Sequence, residues 1–232
     1  MAPVDFRPIS ITPVLSRIME RLVVRQFLYP AFLSSPESLE FSDQFAFRPT
    51  GSTTSALVWF LHTITQLLTQ HDYVIVLALD FSKAFDTVRH STLLDKLARL
   101  DLPDHVYNWL VDFFNGHSHC TRFESKMSSF TDISASIIQG SAIGPASYVI
   151  HASDLVSKTT GNMLCKYADD TYLIIPASNH HSRIAELDHI PVPTTITSVS
   201  IELSALNSFS ETRRRLPFTP TTPSRYFSRH LH

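Results

Sequence analysis

From Val74 to Leu79 the chain reads Val-Ile-Val-Leu-Ala-Leu, an apolar run with no polar alternation, preceded by Tyr73 and closed by Asp80. A strand with one face in water alternates apolar and polar residues. An unbroken β-rich run instead suits a strand covered on both faces. The run is far shorter than a membrane span, which takes roughly 20 residues. The rest of the chain must therefore supply the cover.

The sequence offers helices for that purpose. Spacing predicts one over about 13–28, with Thr12 as its cap and Pro13 in its first position. Leu15, Ile18, Met19 and Leu22 recur there at helical spacing, while Arg17, Arg21 and Arg25 fall elsewhere on the surface. Residues 34–40 read as a loop. A second helix is expected over 52–70, and a third around Leu93, Leu94, Leu97 and Leu100. A fourth covers 103–115, with Val106, Trp109, Leu110 and Phe113 on one face and Gly116 as its stop. A fifth falls near 145–155. Residues 163–175 read as two short strands around a tight Asp169-Asp170 turn. After about Ile190, Ser, Thr, Pro and Arg dominate and no period survives. Such a tail buries too little apolar area to offset its ordering entropy, so residues 178–232 are expected to be a degenerate, disordered tail.

With 232 residues and 44% hydrophobic composition, one large domain is expected. Lys and Arg number 19 against 21 Asp and Glu, a net charge of −2, so bulk charge gives no nucleic-acid signal. Two cysteines, Cys120 and Cys165, are too few for a disulfide framework. No basic stretch followed by an apolar run opens the chain. An intracellular location, nuclear or cytoplasmic, without membrane association, is the expectation. Oligomeric state is not legible.

Three acids carry the chemical argument. Asp80 ends the apolar strand, and Asp169 and Asp170 lie between two others. Neighbouring strands of one sheet would bring them together, and the cluster would repel itself unless cations neutralised it. Hard carboxylate oxygens suit Mg²⁺, and two such ions about 3.5–4 Å apart clamp the attacking and leaving oxygens of a phosphoryl transfer. Taken singly, an Asp after an apolar strand is a common cap or turn residue, and Asp-Asp is a common solvated turn.

Their surroundings are more specific. Leu79-Asp80-Phe81-Ser82-Lys83-Ala84-Phe85-Asp86-Thr87-Val88 resembles the first palm motif of LINE-type (non-LTR) retrotransposon reverse transcriptases. Gln139-Gly140-Ser141-Ala142-Ile143-Gly144-Pro145 is similar to their Gln-Gly-Ser-x-x-Gly-Pro motif, and Tyr167-Ala168-Asp169-Asp170-Thr171 to their catalytic hairpin. Phe6-Arg7-Pro8-Ile9-Ser10 and Gln44-Phe45-Ala46-Phe47-Arg48-Pro49 resemble two finger motifs. The order of the five motifs is that of the family.

The resemblance implies an α+β fold: a polymerase palm of antiparallel sheet backed by helices, with partial fingers over 1–177. It implies an RNA-directed DNA polymerase domain using two Mg²⁺ ions, an RNA template, a DNA primer and deoxynucleoside triphosphates. Asp80, Asp169 and Asp170 match the family's metal-binding acids. The carbonyl of Phe81 would lie beside the incoming triphosphate. Phe85 matches the steric gate that excludes a ribose 2′-OH, or is simply core. Gln139 and Gly140 match the loop touching the new base pair, and Arg7 and Arg48 match finger arginines suited to phosphate. Patterns like the family's thumb, further lysine-bearing palm motif and endonuclease are not visible. The isolated chain is therefore expected to be weak or inactive, and the alternative is a non-catalytic remnant that at most binds nucleic acid.

Other candidates are weaker. His117, His119 and Cys120 lack a second pair to complete a zinc site, and residues 120–136 instead resemble the family's β-hairpin. Trp59, Phe60 and Trp109 read as core.

Overall fold

The computed structural model describes residues 12–190, apart from Ser82, His117 and Gln139, and a strand over 195–202. Strand β1 (Tyr73–Asp80) lies inside a four-stranded sheet of order β6-β7-β1-β8, with β6 at Met163–Tyr167, β7 at Asp170–Pro176 and β8 at Thr195–Glu202. All pairings are antiparallel.

As the apolar run demanded, β1 is buried on both faces. Val74 and Val76 pack with Ile64 and Leu68 of helix α3 (Thr53–Leu68) and with Ile174. Ile75, Leu77 and Leu79 pack on the other side with Leu164, Leu173, Ile175 and Ile190. Each such side chain, fully buried, contributes roughly 1.5–3 kcal/mol. The alternation is present in which face each residue serves, not in polarity. Helix α3 starts where the sequence placed it: the Ser52 hydroxyl accepts from the Ser55 N–H, and the Ser52 N–H donates to Ser55 Oγ.

A third cluster joins helix α1 (Val14–Val23), its π-helical continuation Val24–Leu28 and the short α2 (Tyr29–Ala31) to α4 (His90–Leu97), α5 (Asp104–Phe114) and α6 (Ile143–His151). Between α5 and α6 runs a narrow ribbon. In it β2 (Ser118–His119) pairs β5 (Thr131–Asp132), and β3 (Arg122–Phe123) pairs β4 (Lys126–Met127).

Helix α1 departs from its expected faces. Leu15, Ile18, Met19 and Leu22, the apolar positions at helical spacing, are exposed, whereas Glu20 is fully buried beside Val23. Pro13 takes the cap position itself, and no side chain caps the helix. Spacing identifies a face but not which face the neighbours cover, and here the buried face is the one carrying a carboxylate.

The expectation of a disordered tail over 178–232 fails as far as residue 202 wherever the chain is described. Helix α7 (Arg183–His189) buries Glu186, Ile190 enters the core, and β8 pairs β1 from Tyr73↔Glu202 to Asp80↔Thr195. The reason is local. Thr195, Ile196, Thr197, Val199 and Ile201 are β-branched and suit a strand, and β1 offers an edge of backbone groups that need partners. Residues beyond 202 lie outside the described part. The order β1, α6, β6, β7, α7, β8 is that of a split βαβ unit.

Candidate active site

Antiparallel register brings the acids to one end of the sheet. Leu79 faces Thr171 across the β1–β7 ladder, so Asp80 follows at the strand end opposite Asp170. Tyr167 pairs Asp170, which makes Ala168-Asp169 the two-residue turn of the β6–β7 hairpin. Ala168 adopts φ 56°, the left-handed conformation that a non-glycine residue enters at a cost. The crowding of charge is visible in Asp170. Its carboxyl is pushed above the ordinary range by burial first, then by Asp169 and Asp80. Among the described residues, no group of three His, Cys, Asp or Glu side chains converges into a ready-made metal site.

A finger segment holds this hairpin from outside. The Phe45 N–H donates to the Lys166 carbonyl at 2.8 Å, and the Lys166 N–H donates to the Asp43 carbonyl at 2.8 Å. Residues 43–45 thus run parallel to β6, bridged through Gln44 and Lys166. The buried Gln44 side chain goes further: its Oε1 accepts from the Ala46 N–H at 3.0 Å and from the Ala168 N–H at 3.1 Å. That second bond grips the turn one residue before Asp169.

Lys166 points the other way, into the protein. Its Nζ lies 2.9 Å from Asp43 Oδ1. Its hydrogen bonds go to the carbonyls of Ala152 at 3.0 Å and Leu155 at 2.9 Å, so charge rather than a directed bond joins it to Asp43. Burial outweighs the pull of Lys166 and pushes the Asp43 carboxyl up to about 6.

The remaining motif residues divide. Phe85 is half-buried and stacks on Tyr148 of α6, with ring centroids 4.4 Å apart and planes at 20°, and it meets Phe47 of the finger motif edge-on at 6.2 Å. Its ring is thus packed between α6 and the finger motif. Tyr148 has its hydroxyl pKa raised by burial, then by Asp169 and Asp170. Phe81 is half-buried between two core clusters. Gly140 is exposed with φ +104°, a conformation that glycine alone enters freely. Arg48 turns inward, with Nη1 donating to the carbonyls of Phe41 and Gln44. Arg7 and Gln139 lie outside the described residues.

Sequence reading missed Glu20, Asp43, Lys166 and Tyr148. Gln44 and Ser141 lay within quoted motifs, but nothing in their residue type announced what they bind. A charged residue spaced among apolar ones, as Lys166 is in Met163–Tyr167, was the available signal.

The family model for reverse transcriptase (RNA-dependent DNA polymerase) matches residues 2–189. A probable RNA-directed DNA polymerase from transposon X-element of Drosophila melanogaster is 31% identical over 175 residues, covering 72% of this chain and 18% of that protein. The RNA-directed DNA polymerase from mobile element jockey of the same species is 30% identical, covering 73% of this chain and 19% of that protein. The chain thus spans about a fifth of the length of these relatives. Among solved structures, apo telomerase from Candida tropicalis, truncated from its C-terminal domain, superposes with a TM-score of 0.60 at 13% identity, over 77% of this chain and 40% of that one. Telomerase from the same species with a fragment of telomeric RNA gives 0.59 at 12% identity, over 83% and 34%. At such identity the likeness establishes the polymerase palm fold.

Proposed function

Because this chain belongs to the reverse transcriptase (RNA-dependent DNA polymerase) family, as a LINE-type retrotransposon palm with partial fingers, we propose that the acidic end of its sheet is a catalytic centre for RNA-templated DNA synthesis. One observation carries the reading. The register that sets Asp80 opposite Asp170 also sets it beside the Ala168-Asp169 turn, so acids from distant motifs share one sheet end.

The donor set fits magnesium, bound as two ions. It consists of hard carboxylate oxygens, and the mutual pressure on Asp170 is what a cation would relieve. Asp80 and Asp169 would hold it, with Asp170 alongside. Bound there, magnesium would neutralise charge developing on the transferred phosphoryl group.

The chain's own groups do the positioning. Gln44 fixes the turn that carries Asp169. Phe85, backed by Tyr148 and flanked by Phe47, presents a rigid ring that would meet a ribose 2′-OH. The Phe81 carbonyl would lie along the triphosphate, and Gly140, together with Gln139, lets backbone approach the new base pair. RNA template, DNA primer and deoxynucleoside triphosphates are the substrates of this reading, with Arg7 as a phosphate contact.

Extension of oligo(dT) on poly(rA) by the purified chain with Mg²⁺ tests it. Incorporation abolished by Asp169→Asn supports the proposal. A second reading is a non-catalytic remnant that at most binds nucleic acid. A folded chain that binds template and primer without incorporation would decide for that reading.

A further inference from the structure

Glu20 is, with Glu186, one of two fully buried acids among the described residues that have no role in the reading above. It lies on α1, is fully buried, and pairs with no Lys, Arg or His among the described residues. An ion in that position needs full compensation. It finds this at the start of another helix. Oε2 accepts from the Ser141 hydroxyl at 2.7 Å, from the Ala142 N–H at 2.6 Å and, at 3.4 Å, from the Ile143 N–H. Ser16 Oγ donates to the other oxygen at 2.9 Å.

Helix α6 has need of such a partner. Its first turn leaves N–H groups without intrahelical acceptors, and its cap residue, Ala142, has no side chain that can serve them. Ser141 Oγ takes up the N–H groups of Ile143 and Gly144 at 3.1 and 3.3 Å. Glu20 takes Ala142 and orients Ser141, and its charge sits at the positive end of the α6 dipole. A capping residue borrowed from a helix 121 positions earlier in sequence closes the helix that its own loop cannot.

That loop is the one bearing Gln139 and Gly140. It enters tightly: a Cβ on Gly144 would meet Ile137 Cγ2 at 2.9 Å and the Ile138 carbonyl oxygen at 3.0 Å. Its incoming arm is tied to the palm by the Ile137 N–H donating to the Phe85 carbonyl at 2.8 Å. Its outgoing arm is tied by Glu20. Resting on the polymerase reading for the loop's purpose, we propose that Glu20 is a positioning residue. Its carboxylate clasps Ser141 and the first turn of α6, and so fixes the loop at Gly140 against the incoming nucleotide.

Two variants of the whole chain, Glu20→Gln and Ser141→Ala, test this with two readouts. In folded Glu20→Gln, hydrogen exchange at Ala142 and Ile143 should quicken by about tenfold, because a charge-assisted bond has been lost. On poly(rA)·oligo(dT), KM for dTTP should rise by about tenfold with kcat little changed, the mark of lost substrate positioning rather than of less folded protein. Ser141→Ala should move both in the same direction by less, and the double variant should do no worse than Glu20→Gln alone. If Glu20→Gln does not fold, Ser141→Ala decides by the same readouts. Unchanged exchange in 141–143, or a loss confined to kcat, overturns the proposal. If the wild-type chain extends no primer, it is the polymerase reading that falls, and the exchange result still decides the clasp.

Discussion

Removing the ammonium of Lys166 is expected to destabilise the fold strongly, and in a way that depends on pH. The side chain is 1% exposed, donates to two backbone carbonyls and stands 2.9 Å from a carboxylate that is 13% exposed. Methionine at 166 fills similar volume and spares the desolvation of an ammonium. It also leaves two carbonyls without donors and Asp43 without a countercharge. Breaking one side of a buried pair costs about 3–5 kcal/mol, so Lys166→Met should lose about that much near neutral pH. The Asp43 carboxyl, already at about 6 against an ordinary 3.8, will rise further without Lys166. A group whose folded pKa is raised contributes stability that is complete below the unfolded pKa and lost as pH rises through the folded one. In the variant that window therefore extends upward. Protonated Asp43 needs no partner, so the loss should be largest near pH 7.5 and shrink by about half near pH 5. Urea unfolding followed by circular dichroism at both pH values, on wild type, Lys166→Met and the double variant Asp43→Leu/Lys166→Met, measures it. The double variant should recover part of the loss, because no unpaired charge remains while the two carbonyls stay without donors. A single-variant loss below about 1 kcal/mol at neutral pH, or one equal at the two pH values, refutes the reasoning.

Four further outcomes are expected. Phe85→Val in an active form of the domain should raise ribonucleotide incorporation in a primer-extension competition; unchanged discrimination would leave Phe85 as core only. Leu173→Ala, at a fully buried position in the middle of the sheet, should cost about 2–5 kcal/mol by urea unfolding. Gly144→Ala should lose about 1–3 kcal/mol despite alanine's better helix propensity, because its Cβ meets Ile137 and the Ile138 carbonyl. His151 is held down to about 4 by burial and then by Lys96. Its contribution is therefore complete above about pH 6.5 and lost as pH falls toward 4, and His151→Gln should flatten the acid side of the stability profile.

What was legible in the sequence followed from patterns that do not depend on partners. The run at 74–79 could only be a strand covered on two faces, and it is. The start of α3 at Ser52 stands where local chemistry put it, and the hairpin forms with its turn one residue earlier than expected, at Ala168-Asp169. The three candidate acids fall in two motifs, and the register brings those motifs to one end of the sheet. What sequence could not supply was the direction in which a side chain turns. Leu15 and Ile18 face outward while Glu20 faces in, since the side of α1 that α6 covers is fixed by tertiary packing. The finger arginine Arg48 turns its Nη1 to the carbonyls of Phe41 and Gln44, a direction its residue type does not announce.

The strand at 195–202 shows why a compositional argument misjudged the tail. A segment standing alone must bury enough apolar area with its own side chains. A strand added to β1 needs little, because β1 already brings the apolar side chains and lacks only backbone partners along one edge. With β8 in place, β1 is internal, flanked by β7 and β8, and β7 is internal between β6 and β1. Asp80 and Asp170 therefore end strands that are held on both sides, and Asp169 sits in a turn whose Ala168 N–H is fixed by Gln44. Phosphoryl transfer depends on positioning more than on covalent chemistry. For such a reaction, acids carried on doubly flanked strands are held more firmly than the same acids on an edge. The outer edges fall to elements with other means of protection. The finger segment 43–45 covers part of β6, through the parallel bridge of Gln44 to Lys166.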